Sequence, residues 1–147
     1  MGTRSCILLQ SITDESNYVG VYCHWDGYPE HHLPILQENY NTWANVNDLL
    51  SHGSMSSLEA RCDGGMGHSF EYPLSGQTVY YGRDRGETGQ EPHYTDNLIE
   101  TLKKYDDMGC EYAYVFSNGK WKWTALDDNI SELTIDSPRW EEELICQ

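Results

Sequence analysis

Three groups of residues in this chain have the types and spacing to do chemistry. The first is Tyr22-Cys23-His24-Trp25-Asp26-Gly27-Tyr28-Pro29, which packs an imidazole, a carboxylate and three other aromatic rings into eight residues. On a strand, alternation puts Tyr22 and His24 on one face and Cys23 and Trp25 on the other. His24 and Asp26 then suit ligand binding or acid–base work. The structural alternative is a strand end whose rings fill the core and whose Asp26 closes a turn. The second group is Arg83-Asp84-Arg85-Gly86-Glu87, shortly after Tyr80-Tyr81. Arginine forks bind phosphate or carboxylate through two parallel hydrogen bonds, and Gly86 lets a backbone N–H come close to an anion. The alternative is an exposed loop whose charges pair with one another at little energetic gain. The third group is the aromatic set Tyr112, Tyr114, Phe116, Trp121 and Trp123. Such a stripe can stack bases, but it reads first as the core face of a sheet.

The histidines do not form a recognised metal pattern. His24, His31 and His32 lie near Asp26 and Glu30, with Cys62 and His68 further on, yet no HExxH or paired-cysteine spacing appears. Five cysteines, scattered and odd in number, give no disulfide framework and read as buried or idle thiols. No metal, no cofactor and no catalytic residue is assigned. The candidate ligand-binding residues are His24, Trp25, Asp26, Tyr28, Tyr81, Arg83, Asp84, Arg85 and Glu87.

These residues need a scaffold. The 147 residues make one domain with room for a core. With 9 Lys and Arg against 24 Asp and Glu, the net charge is −15, which repels nucleic-acid backbones and argues against general DNA or RNA binding. No apolar run approaches the roughly 20 residues of a membrane span, and the start lacks the long apolar stretch of a signal peptide. The expectation is a cytoplasmic protein. Residues 6–12 and 18–25 read as strands joined by the polar loop 13–17. Pro34 is expected to open a helical region that breaks near Asn41-Thr42, with Thr42 as a cap and Gly53 closing it. Residues 78–81 read as a short strand and 82–93 as a polar loop. Thr95 is expected to cap a helix through Asp107. Asn118-Gly119 predicts a two-residue hairpin turn that pairs Ser117 with Lys120, Phe116 with Trp121 and Tyr114 with Trp123. All four rings then share a face, with Lys120 and Lys122 on the other. The tail 127–147 carries seven acids and one base, with a short helix expected after Ser137-Pro138. The expected fold is a single α+β domain, a mostly antiparallel sheet with two to four helices packed on it.

The string YCHWDGYP, then LLSHGSMSSL at 49–58, then YGRDRGE at 81–87, then the hairpin, resemble in their order a family of small phage and prophage proteins. The resemblance covers most of residues 4–123, and the YCHWDGYP string carries most of its specificity. It implies a phage-type accessory protein of the bacterial host cytosol, a class that often counters host defence. Three functions follow as expectations. The first is capture of a small nucleotide-type immune signal, with phosphates on Arg83 and Arg85, the base on an aromatic ring and a homo-oligomer enclosing the ligand. The second is an acidic protein–protein inhibitor that presents carboxylates to a basic channel of a host defence protein. The third is phosphodiester cleavage by His24 and Asp26 with Arg83 or Arg85.

Overall fold

The structure, a computed structural model, describes residues 3–126 and Trp140. Its elements run β1 (Arg4–Gln10), β2 (Tyr18–Cys23), α1 (Pro29–Asn39), α2 (Trp43–Ser51), β3 (Met55–Ser57), β4 (Val79–Tyr80), α3 (Tyr81–Arg85), β5 (His93–Thr95), α4 (Leu98–Asp107), β6 (Cys110–Ser117) and β7 (Lys120–Ala125). The sheet order is β4-β3-β2-β1-β6-β7, and β5 also pairs with β2. The fold is α+β, as the sequence predicts, but the sheet is mixed. β1–β2, β2–β5, β3–β4 and β6–β7 are antiparallel, whereas β1–β6 and β2–β3 are parallel.

Strand alternation divides the apolar residues between two layers. Ile7, Leu9, Val21, Tyr114, Phe116 and Trp121 face α1 and α2, meeting Leu33, Leu36, Val46, Leu49 and Leu50. Cys6, Leu8, Ala113 and Val115 face α4, meeting Leu98, Leu102 and Tyr105. The aromatic stripe is therefore core. The hairpin has the predicted register, with Ser117 opposite Lys120, Phe116 opposite Trp121 and Tyr114 opposite Trp123. Trp140 is buried with the α4 layer. The expected helix in the tail otherwise lies outside the described residues. Among the described residues, no helix is long and apolar enough to cross a membrane.

Several boundaries differ from expectation. Helix α1 opens at Pro29, not Pro34, and Pro34 sits inside it. Pro29 suits the first turn, where its missing N–H has no intrahelical partner to lose. Thr42 caps α2 as expected, its Oγ1 accepting the Asn45 N–H at 3.1 Å. The cap of α4 is Asn97 rather than Thr95, because Asn97 Oδ1 accepts the Glu100 N–H, while Thr95 Oγ1 accepts the Asn97 N–H. The expected loop 82–93 contains α3 and leads into β5.

The YCHWDGYP string makes the passage from β2 to α1. Asp26 takes a left-handed conformation, φ 56°. Gly27 then crosses the start of β1 so closely that a Cβ there would lie 2.6 Å from Ser5 Cβ and 2.8 Å from the Thr3 carbonyl oxygen. Its N–H donates to Thr3 O at 2.8 Å, and its carbonyl accepts the Tyr114 hydroxyl at 2.6 Å. Tyr28 follows as the N-cap position and Pro29 opens the helix. One turn on, the fully buried His32 meets the buried Ser5 hydroxyl at 3.0 Å and packs on the Tyr114 ring.

Two outcomes are expected. Gly27→Ala forces a methyl into that crossing and should destabilise by about 1–3 kcal/mol, read as a lower urea midpoint; an unchanged midpoint would refute the close-crossing argument. Burial, reinforced by His31, pushes His32 down to about 3, against about 6.5 in the unfolded chain. The unfolded state therefore takes up a proton first. Stability is full above about pH 6.5 and falls below it, at up to about 1.4 kcal/mol per pH unit. His32→Gln should flatten this loss in urea melts between pH 7 and pH 5.

Candidate functional site

The two charged or aromatic strings meet on β3, a strand the sequence reading did not find. On one side the N–H groups of His24 and Trp25 donate to Met55 O and Ser56 O, and on the other the Tyr81 N–H donates to Ser54 O. Tyr22, His24, Trp25 and Tyr81 thus collect around one short strand. Tyr22 and His24 share a face, as alternation predicts, with Tyr22 Oη 2.7 Å from His24 Nδ1. Burial raises Tyr22 to about 12. Its hydroxyl therefore keeps its proton, and the imidazole tautomer sets which of Oη and Nδ1 donates in their hydrogen bond. Trp25, 44% exposed, meets the His24 ring edge-on with centroids 4.6 Å apart. Burial, then the charge of Arg4, lower His24 below the ordinary imidazole value. The arginine that acts on this cluster is therefore Arg4, which also donates to Met108 O at 3.0 Å at the end of α4.

Arg83 and Arg85 face elsewhere. Arg83 grips Asp84 through Nε at 2.9 Å, donates to Cys62 O and Thr78 O, and lies over the Tyr80 ring at 4.7 Å. Asp84 also accepts the Tyr80 N–H at 2.8 Å and meets His68 Nε2 at 3.1 Å. His68 Nδ1 in turn accepts the Leu74 N–H. Burial raises the Asp84 carboxyl, but Arg83, the Tyr80 N–H and His68 outweigh it and hold it below the usual carboxylate value. This network ties the segment 62–78 to α3. Arg85 lies over Phe70 at 4.8 Å and pairs loosely with Glu87 at 3.6 Å, both exposed. Gly86 uses its left-handed φ of 80° to close α3, and its N–H bonds to Gly82 O. Among the described residues, Asp26 makes no hydrogen bond or ion pair to His24, and no bond joins Arg83 or Arg85 to the YCHWDGYP string. Substituting Arg83 removes a structural clamp as well as a candidate anion contact.

A sizeable cleft lies on the α1/α2 face, away from both strings. Pairing aligns Trp121, Phe116, Leu9, Val19 and Tyr94 in one row across β7, β6, β1, β2 and β5. The helices cover the row as far as α2. Beyond Trp43 it is open, so Tyr94 stands 76% exposed and Trp43 36% exposed. Between them is a cleft of about 710 Å³ with Leu9 and Val19 among its lining residues, rimmed by Asn17, Asn47, His93 and Thr95. A second depression of about 220 Å³ is also lined by Trp43. No Lys or Arg lines either one. The sequence signal missed here was Tyr94, an aromatic in a short polar segment.

The four described cysteines, Cys6, Cys23, Cys62 and Cys110, are buried and free. Comparison of the chain with family models, curated proteins and solved structures finds no match.

Arg4→Gln removes a cation that disfavours protonated His24, so the His24 titration midpoint should move up. Imidazole NMR shifts followed from pH 4 to 8 in both proteins test this. An unmoved or lowered midpoint would mean that Arg4 does not act on the ring.

Proposed function

We propose that this protein is a small-ligand-binding module that holds a planar, polar aromatic group of the nucleobase class in the Trp43–Tyr94 cleft. The observation that carries the reading is the uncovered end of the sheet row, where two exposed rings flank a cleft of about 710 Å³. Stacking between such rings is tolerant of base identity, while the amides of Asn17 and Asn47, the Thr95 hydroxyl and His93 offer donors and acceptors to a base edge. The resemblance to phage-type proteins supports an anti-defence role, sequestration of a nucleotide-derived immune signal. The site for the base is then the cleft. Arg83 is committed to carbonyls and Asp84, so recognition rests on the ring more than on phosphate. The net charge of −15 favours a second reading, an acidic inhibitor of a basic defence protein.

Adenosine, guanosine and cyclic dinucleotides titrated into the protein, followed by tryptophan fluorescence and amide NMR, test the first reading. Saturable binding with shifts centred on Trp43, Asn47 and Tyr94 is expected. Trp43→Ala and Tyr94→Ala should each cost about 1–3 kcal/mol, roughly five- to 150-fold in Kd. Binding that survives both substitutions would remove the cleft from the argument, and no binding would shift the weight to the acidic inhibitor.

A further inference from the structure

Helix α2 carries Asp48, its C-cap residue His52 lies one turn on, and both side chains reach toward Cys62 on the segment after β3. Asp48 Oδ2 lies 3.4 Å from Cys62 Sγ, and Asp48 Oδ1 lies 3.8 Å from His52 Nε2. The three ligand atoms all fall within 4.8 Å of one another. The bond lengths of a tetrahedral zinc-class ion, about 2.3 Å to sulfur and about 2.0 Å to nitrogen or oxygen, put ligand atoms about 3.3–3.6 Å apart by tetrahedral geometry. The ligand atoms, now within 4.8 Å of one another, draw together by side-chain rotation to match. We propose that Asp48, His52 and Cys62 form a divalent transition-metal site of the zinc class, distinct from the Trp43–Tyr94 cleft.

The donor set fits that class of ion. One thiolate, one imidazole and one carboxylate select zinc-like ions over calcium or magnesium, which want several oxygens. The charges also suit it, since a thiolate and a carboxylate together neutralise a doubly charged ion. Binding displaces the Cys62 thiol proton to solvent. A catalytic thiol would need a different order, with the imidazole between sulfur and carboxylate. Here the carboxylate touches the sulfur directly, which opposes a free thiolate.

The surroundings hold the ligands in place. The Cys62 carbonyl accepts from Arg83, and two residues on, the Gly64 N–H donates to Gln77 Oε1 at 3.0 Å. The His52 ring packs edge-on against Tyr80 with centroids 5.0 Å apart. Cys62 is 7% exposed at the base of the site, while the side chains of Asp48 and His52 are 65% and 30% exposed. His52 also lines an open depression of about 280 Å³ together with Arg83 and Glu87. Three protein ligands beside solvent leave a fourth position for water, the arrangement of an open site rather than a closed structural one.

The test uses the full, tag-free, reduced chain and Co²⁺ as a spectroscopic substitute. Co²⁺ should give a near-ultraviolet sulfur-to-metal charge-transfer band together with visible bands of four-coordinate intensity. One equivalent of Zn²⁺ should bleach both, and competition with a chromophoric chelator should give one ion per chain. Cys62→Ser should abolish the charge-transfer band. His52→Asn should weaken binding at least about a hundredfold, the upper end of the loss seen for mere supporting residues. His31→Gln, outside the cluster, should leave binding unchanged. If Cys62→Ser does not fold, His52→Asn decides, because its ring is partly exposed. Absence of the charge-transfer band at saturating Co²⁺, or equal Zn²⁺ affinity in His52→Asn and the parent, would overturn the site.

Discussion

The structure depends on one close backbone crossing. Gly27 passes the start of β1 at a distance that leaves no room for a side chain, and hydrogen bonds to Thr3 and Tyr114 hold it there. The crossing joins the first strand, the exit from the second, the first helix and the interior strand β6 at a single point. Displacing it would move α1 and, with it, Leu33 and Leu36 in the main core. Much of the YCHWDGYP string is explained by this passage: a left-handed residue, a wedge without a side chain, and a proline at the first helical turn. Its chemistry-bearing members, His24 and Trp25, lie just ahead of it, positioned by the last bonds of β2 to β3.

Three of the arginines follow a common pattern. Arg4, Arg61 and Arg83 each donate to backbone carbonyls, of Met108, of Ser75, and of Cys62 and Thr78 respectively. In a chain of net charge −15 these scarce cations serve to close loops and helix ends. An arginine with carboxylate, carbonyl and ring partners already in place has few donors left for a phosphate. The recognition surface correspondingly lacks a Lys or Arg: two rings, a set of amides and hydroxyls, and the Asp96 carboxylate at the end of the sheet that the helices do not reach.

Much of the fold was legible from local pattern. The Asn118-Gly119 turn and the alternation around it specified the same hairpin register, and it is the one observed. The 3.6-residue spacing, the Thr42 cap and the break before it placed α2. Less was legible of the candidate site. Strand alternation paired Tyr22 with His24, and the sequence order singled out the string around Arg83. The direction in which Arg83 points depends on Cys62, Thr78 and His68, whose positions no local rule supplies.

What the sequence determined by itself was whatever repeats over a few residues: the period of each long element, its caps, the tight turn, and the sign of the overall charge. These arise from neighbours along the chain, so spacing encodes them. What only the tertiary structure decided was whatever joins distant segments. β3 and β5 are three residues long and have no periodic signal of their own; they are strands because β2 offers them hydrogen bonds. The parallel pairing of β1 with β6 spans about a hundred residues of intervening chain. The Trp43–Tyr94 cleft and the Asp48–His52–Cys62 cluster exist for the same reason. Their members come from elements whose separation is set by packing of the core, a cooperative property of the whole domain that no single stretch of residues contains.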